Sequence, residues 1–341
     1  MSNKKRMISS RDVAREANVS QATVSRVLNN PESVKLAKRK KVLEAIKRLN
    51  YHPNLIARSL VTNRTKTIAL ISGSIRNNFF ADAMDAIVNI ASQGGYRTMI
   101  SLDGDSNLLD TLTKVWGQNV DGILLSLIRM DDPLVERIVQ SDTPHMFFNR
   151  YPRHIGNYVA IDNRLAAEMV TRHLTELGHR RIAYISGELQ YSTFHERLMG
   201  FYDVLNEQKM AIDESFIQHV ISTEESSVIQ AVKILMKLNE PPTAIVCSSD
   251  AIALTCMDML LGMGIDIPGQ VSICGMDNIK LASHHAIHLT TSGHQAYSLG
   301  EIAVKQLISM IENPELRDKP QRVILRPELY IRSTSATSSN R

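Results

Sequence analysis

The chain has 341 residues, 43% apolar and 22% charged, which is length for about two domains and for a sizeable core. Its three cysteines, Cys247, Cys256 and Cys274, are odd in number and form no C-x-x-C pair, which argues against a disulfide scaffold or a structural zinc site. No stretch approaches ~18 uninterrupted apolar residues and no apolar segment follows Lys4-Lys5-Arg6, so a cytoplasmic protein without a membrane span is expected.

The charge is unevenly placed. Residues 1–66 carry 16 Lys and Arg against four Asp and Glu, a net of +12, while the remaining 275 carry 23 against 31, a net of −8. A basic end is either a solubilising arm or a footprint for a polyanion, and the pattern inside it separates the two. Ser9-Ser10-Arg11-Asp12 matches a capping box opening a first helix, with Val13, Ala14 and Ala17 on one small apolar face. Asn18 tolerates left-handed backbone and can end that helix. Ser20 caps a second helix, Gln21 to about Asn29, with Val24, Val27 and Leu28 inward and Gln21, Ala22, Thr23, Ser25 and Arg26 outward. After the Asn30-Pro31-Glu32-Ser33 loop, a third helix is expected from about Leu36 to Leu49, with Leu36, Leu43, Ile46 and Leu49 along one side. Two short helices joined by a tight turn and backed by a third make a helix-turn-helix. The short polar side chains of the second suit insertion into a DNA major groove. Lys35 stands at the cap of the third helix, a mildly unfavourable place for a cation unless a phosphate lies near.

Pro53 ends this headpiece, because it lacks an amide hydrogen and biases its predecessor away from helix. Asn54 can cap a short helix through about Thr62, which is marginal alone because nucleation is costly. The segment is either a plain linker or a helix that orders only on DNA. Beyond it the pattern turns α/β. Thr67-Ile68-Ala69-Leu70-Ile71 reads as a buried strand, followed by a helix from Ala81 to about Gln93 and strands at residues 96–100 and 122–125. The order then restarts: Arg181-Ile182-Ala183-Tyr184-Ile185-Ser186-Gly187 echoes Thr67-Ile68-Ala69-Leu70-Ile71-Ser72-Gly73. A helix from Arg197 to about Glu207 and strands at residues 243–247 and 270–274 follow. Alternating strands and helices predict two similar lobes of parallel sheet, with a ligand cleft beyond the carboxyl ends of the strands.

Residues 12–29, from Asp12-Val13-Ala14 to Val27-Leu28-Asn29, closely resemble the headpiece of the lactose-repressor (LacI) family, and Tyr51-His52-Pro53-Asn54-Leu55-Ile56-Ala57-Arg58-Ser59-Leu60 resembles its hinge. Further matches run in order through Asn78-Phe79-Phe80, Leu177-Gly178-His179-Arg180-Arg181, Arg197, Ser249-Asp250, Gly275-Met276-Asp277-Asn278 and Leu289-Thr290-Thr291. The likeness covers roughly residues 8–334. It implies an all-α helix-turn-helix headpiece (1–52), a hinge helix and linker (53–66), and an α/β two-lobed periplasmic-binding-protein-like core with parallel sheets (67–334). The lobes are expected at 67–166 with 294–325 and at 167–293 with 326–334, with a polar tail at 335–341.

That resemblance gives the residues their expected roles. Gln21, Ala22 and Arg26 would read base edges, arginine favouring guanine. Ser9, Ser20, Thr23, Ser25, Asn29 and the cluster beginning at Lys38 would contact DNA beside them, as would Asn54, Ala57 and Arg58 in the hinge. Leu60 matches the family's minor-groove wedge. In the cleft, Arg197 and Asp277 match effector-contacting positions, and Phe79 or Phe80 would either cover a sugar ring or simply pack. Arg150, Asp162, Ser249 and Asp250 are weaker candidates, standing either at the effector or one layer behind the residues that touch it. His294 stands where relatives often carry glutamine, and would donate either to an anionic group or to a backbone carbonyl.

Other chemistry is discounted. His284, His285 and His288 lack supporting Cys or Glu ligands, so no metal is expected, and Gly262-Met263-Gly264 lacks the third glycine of a dinucleotide loop. No nucleophile elbow or cofactor motif points to an enzyme, and no cofactor is expected. Together with the helix-turn-helix and the two-lobed pattern, the resemblance implies a homodimeric transcriptional repressor of a double-stranded, pseudo-palindromic operator, controlled by a small metabolite, a sugar or sugar derivative. A cytosolic sugar-binding protein and an α/β enzyme acting on carbohydrate are the alternatives. Whether the metabolite releases or promotes DNA binding is left open.

Overall fold

The computed structural model describes residues 8–52, 64–102, 108–222 and 224–338, so the expectations for Asn54, Ala57, Arg58 and Leu60 lie outside the described residues. The chain divides into two compact units between Thr65 and Lys66.

The first unit holds α1 (Ser10–Glu16), α2 (Gln21–Asn29) and α3 (Leu36–Leu49). The Ser9 hydroxyl accepts the Asp12 amide while the Asp12 carboxylate accepts the Ser9 amide at 2.9 Å, so two otherwise orphaned donors are satisfied. Asn18, at φ +51°, turns the chain, and the Ser20 hydroxyl accepts the Thr23 amide at 3.2 Å to open α2. Lys35 precedes α3 with no side-chain cap, and Asn50 closes that helix at φ +46°. Val13, Ala14, Ala17, Val24, Val27, Val42 and Ala45 form the small core. The apolar side expected for α3 needs correction, because Leu36 is 64% and Leu43 48% exposed. The inward stripe runs through Val42, Ala45, Ile46 and Leu49, the i, i+3, i+4, i+7 set one residue away from the leucine register. The smaller Val42 and Ala45 let α3 approach the alanine face of α1, and Arg48 pairs with Glu16 at 2.6 Å across the same contact.

The second unit begins with β1 (Thr67–Ser72), α4 (Asn78–Gln93), β2 (Arg97–Leu102), α5 (Leu108–Gly117), β3 (Gly122–Leu125), α6 (Leu134–Gln140), β4 (His145–Phe148) and β5 (Tyr158–Ile161). A second set follows: α7 (Asn163–Glu176), β6 (Ile182–Ser186), α8 (Ser192–Glu207), β7 (Ile217–His219), α9 (Glu225–Met236), β8 (Ala244–Cys247), α10 (Asp250–Gly262), β9 (Ser272–Met276) and β10 (Thr290–Gly293). The chain then adds α11 (Ala296–Glu312) and β11 (Arg322–Leu325) to the first lobe and β12 (Glu328–Tyr330) to the second.

The first sheet has the order β11-β5-β4-β3-β1-β2 and is parallel throughout. The second has the order β12-β10-β9-β8-β6-β7 and is parallel apart from the β10–β12 pair. The central strands are buried on both faces, as parallel strands covered by helices must be, and they read accordingly as unbroken apolar runs. The chain crosses between lobes after Ile161, Gly293 and Leu325, and α7 packs on the second sheet from Asn163 onward. Helix α4 starts at Asn78 rather than Ala81, because the Asn77 side chain accepts the Phe79 amide at 3.0 Å. Helix α8 starts five residues ahead of Arg197.

The C-terminal residues expected as a polar tail are docked as far as Ser338. The Ile273 amide donates to the Thr334 carbonyl at 2.7 Å, and the Thr334 hydroxyl donates to the Ile273 carbonyl and accepts the Thr290 amide. His173 Nε2 lies 2.9 Å from the Ser335 hydroxyl and His179 Nε2 lies 3.0 Å from the Ala336 carbonyl. A serine- and threonine-rich segment has no apolar signal to announce such docking, since hydrogen bonds supply it.

Candidate functional site

In the headpiece, Gln21, Ala22, Ser25 and Arg26 form an exposed face of α2, opposite the buried Val24 and Val27. Gln21 Nε2 donates to the Ser10 hydroxyl at 3.0 Å, which steadies its side chain against α1. Thr23 is half-buried, its hydroxyl 2.9 Å from that of Ser20, so both hydroxyls also serve the helix start. Ser9 and Lys38 are exposed, and Asn29 is the last residue of α2. An exposed polar helix face ending in an arginine, on a unit rich in lysine, has the chemistry to offer donors to base edges and cations to phosphates.

In the second unit a cavity of about 410 Å³ lies between the carboxyl ends of the two sheets. Strand β1 ends at Ser72-Gly73 and β6 at Ser186-Gly187, and each glycine has a phenylalanine seven residues on, at the start of the following helix. A Cβ on Gly73 would meet the Phe80 ring at 2.7 Å, and one on Gly187 would meet the Phe194 ring at 2.5 Å. The two lobes therefore offer one aromatic ring each to the cleft by the same local device. The Arg150 guanidinium lies between them, 5.9 Å from the Phe80 centroid and 5.7 Å from that of Phe194, and stacks at 3.6 Å over Tyr191.

The floor is charged. Arg197, fully buried in the first turns of α8, donates from Nε to Asn163 Oδ1 at 2.8 Å and from Nη1 to the Ser248 carbonyl at 2.6 Å, and Nη2 pairs with Asp277 Oδ1 at 2.8 Å. A buried cation held on three sides is fixed in direction, so Asp277 is fixed with it. Burial pushes the Asp277 carboxyl up and the Arg197 charge opposes that rise. Asp250 lies behind this pair. Burial, followed by the charge of Asp277, pushes Asp250 up to about 7.

Bonds between the lobes flank the cleft. The Thr193 hydroxyl donates to the Asn149 carbonyl at 2.9 Å, the Tyr151 amide donates to the Ser192 hydroxyl at 3.0 Å, and the Tyr151 hydroxyl donates to Glu196 at 2.5 Å. Burial, followed by that hydrogen bond to Glu196, raises Tyr151 well above the usual phenol range.

Of the sequence candidates, Phe79, Phe80, Arg150, Arg197, Ser249 and Asp277 line this cavity. Asp162, Asp250 and His294 are not among its lining residues. Asp162 is spent on capping α7, its carboxylate accepting the Leu165 amide at 3.0 Å, and Asp250 is covered by Asp277 and Thr291. His294 is half-buried where the chain re-enters the first lobe, its Nδ1 buried without a hydrogen-bond partner among the described residues. Sequence reasoning passed over Asn149, Glu188, Tyr191, Thr193 and Phe194, all in the lining. The repeat held the signal for Phe194: the same seven-residue step from the second Ser-Gly finds it.

Among the described residues no group of His, Cys, Asp and Glu is placed to hold a metal ion, and no helix is long and apolar enough to cross a membrane.

Comparison with known proteins places the chain in context. Residues 10–54 match the family described as bacterial regulatory proteins, lacI family, and residues 171–335 match a periplasmic binding protein-like domain. The chain is 33% identical over 336 residues to the HTH-type transcriptional repressor PurR of Vibrio atlanticus (strain LGP32), covering 97% of this chain and 99% of that protein. It is 34% identical over 317 residues to catabolite control protein A of Priestia megaterium, covering 90% and 93%. Among solved structures it is similar to the lac repressor dimer bound to operator and the anti-inducer ONPF, with TM-score 0.84, 23% identity and coverage of 97% and 100%. It is also similar to a complex of the transcriptional regulator CelR with cellobiose, with TM-score 0.70, 27% identity and coverage of 96% and 99%.

Proposed function

Since the chain belongs to the lacI family of bacterial regulatory proteins, and is a DNA-binding transcriptional regulator rather than an enzyme, we propose that it is a cytoplasmic repressor governed by a sugar bound between its two lobes. The observation that carries this reading is the fixed Arg197–Asp277 pair beneath the Phe80 and Phe194 rings. A guanidinium beside a carboxylate offers donor and acceptor to neighbouring hydroxyls, while ring faces cover the C–H side of a pyranose or furanose. CelR in its complex carries cellobiose, and a family regulator from Enterococcus faecium is similar in fold and carries ribose, which supports the sugar class.

The protein acts as a homodimer on a pseudo-palindromic operator, α2 entering the major groove with Gln21, Ala22 and Arg26 at base edges. Ser9, Ser20, Thr23, Ser25, Asn29 and Lys38 hold the backbone around it, and Asn54, Ala57 and Arg58 do so at the hinge, where Leu60 wedges the minor groove. Sugar binding that prefers one arrangement of the lobes shifts the population able to grip DNA, and a tenfold change in operator affinity needs only ~1.4 kcal/mol of preference. The test is selection of an operator from random duplexes, followed by fluorescence anisotropy with ribose, glucose and cellobiose. A pseudo-palindromic site with a steep salt dependence, and a sugar that moves its affinity at least tenfold, are expected. Operator affinity indifferent to every sugar, with response to a nucleobase instead, refutes the sugar class.

A further inference from the structure

The acid that faces Arg197 sits on unusual backbone. Asp277 has φ +135° and Asn278 has φ +53°, two successive non-glycine residues in the left-handed half of conformational space. Such a turn persists only where its surroundings over-determine it. Here the Asp277 amide donates to the Ser292 carbonyl at 2.8 Å, and Arg332 Nη2 donates to Asn278 Oδ1 at 2.9 Å. Gly293 lies so close that a Cβ there would come within 2.8 Å of the Asp277 backbone.

The Asn278 amide also reaches the Thr291 hydroxyl at 3.4 Å, and a further hold is Asp250, at the first turn of α10. It is fully buried and absent from the cleft lining, yet both carboxylate oxygens are engaged. Oδ2 accepts the Ile279 amide at 2.9 Å and Oδ1 accepts the Thr291 hydroxyl at 2.6 Å. Strand β9 makes room for it with Gly275, where a Cβ would come within 2.3 Å of Oδ1. One carboxylate therefore ties the 277–279 turn to β10, and it does so at the energetic expense of a second acid beside Asp277.

We propose that Asp250 is a positioning residue for the effector site: it never touches the effector, and it fixes the strained turn that presents Asp277 to Arg197 and to the cleft. The consequence for effector binding rests on the cleft being the effector site; the consequence for the turn does not.

The test is a crystallographic comparison of the full-length wild type with Asp250→Ala and Asp250→Asn, joined to calorimetric titration with ribose and cellobiose. In Asp250→Ala the Ile279 amide loses its acceptor, Asp277 relaxes to negative φ, and its 2.8 Å contact with Arg197 opens beyond 4 Å. In Asp250→Asn the amide oxygen keeps Ile279 and its NH2 donates to the Thr291 hydroxyl oxygen, so turn and contact survive. Sugar affinity falls at least tenfold in the alanine variant and stays within threefold in the asparagine variant, while operator affinity without sugar stays within twofold in both. Unchanged Asp277 geometry in Asp250→Ala overturns the proposal, as does equal sugar affinity across all three proteins that bind it. Should Asp250→Ala not fold, Asp250→Ser serves instead: its shorter side chain cannot span both the Ile279 amide and the Thr291 hydroxyl, and an unmoved turn there counts equally against the proposal. A wild type that binds neither sugar overturns the sugar reading, and the crystallographic comparison then decides on Asp250 by itself.

Discussion

Gly187→Ala is the most informative single change in the cleft wall. The added methyl would lie 2.5, 2.6 and 2.7 Å from three atoms of the Phe194 ring, against an ordinary contact of about 3.5–4 Å. The ring must retreat by about 1 Å, and its free side is the cavity, where Arg150 stands 5.7 Å from its centroid. Overpacking of this kind costs about 1–3 kcal/mol. For a domain of this size that lowers the melting temperature by roughly 2–4 °C per kcal/mol. The narrowed cleft should weaken effector binding at least tenfold, and the operator response should shift to higher effector concentration. Calorimetric melting and effector titration read the two effects. Because the cost arises from one contact, Gly187→Ala combined with Phe194→Ala should be no less stable than Phe194→Ala alone, a coupling that a double-mutant cycle measures. Additive losses, or a Gly187→Ala protein that melts and responds like the wild type, would refute the contact argument.

Further outcomes follow from other parts of the structure. Leu43→Gln should leave stability within about 0.5 kcal/mol, because that leucine is half in water, whereas Val42→Ala should cost about 1.5–2.5 kcal/mol; urea unfolding of the two variants decides. Thr334→Val removes one donor and one acceptor from buried partners at Ile273 and Thr290 and should cost about 1–3 kcal/mol, read by thermal melting. Burial pushes His145 down to about 4, so the folded state resists a proton that the unfolded chain accepts near 6.5. The contribution of His145 to stability should then fall as pH drops from about 6.5 to 4, by up to about 3 kcal/mol, and the difference between wild type and His145→Leu across that range in urea titrations isolates it from groups of opposite sign. Asp250 acts with the opposite sign: its raised value makes the folded state bind a proton that the unfolded chain releases near 3.8, so its own contribution to stability falls as pH rises from about 4 to 7. Asp250→Asn should lessen that decline relative to wild type, the neighbouring Asp277, which burial also raises, keeping the rest.

The elements that declared themselves in the sequence were those with a local cause. The Ser9 capping box, the Ser20 cap, the Asn18 turn and the repeated Ser-Gly strand ends are written in adjacent residues, and the structure places them in those roles. The α3 stripe misled because leucines look more buried than a valine and an alanine do, yet close packing on the alanines of α1 favours the small pair. In the cleft, Arg197 and Asp277 were legible by resemblance, whereas Tyr191 and Thr193 reach it only because α8 begins earlier than its periodicity suggests. Asp250 illustrates the limit most clearly. Ser249 and Asp250 were alike as candidates in the sequence, but a helix start turns neighbouring side chains apart, and only Ser249 lines the cavity.

Reciprocity offers the most direct measurement of the central claim, that occupancy of the cleft sets the grip on DNA. The affinity of an effective sugar is to be measured by titration calorimetry on free protein and on protein saturated with its selected operator. The account predicts that the two affinities differ by the same factor, tenfold or more, by which that sugar changes operator affinity. Equal affinity in both states would contradict it.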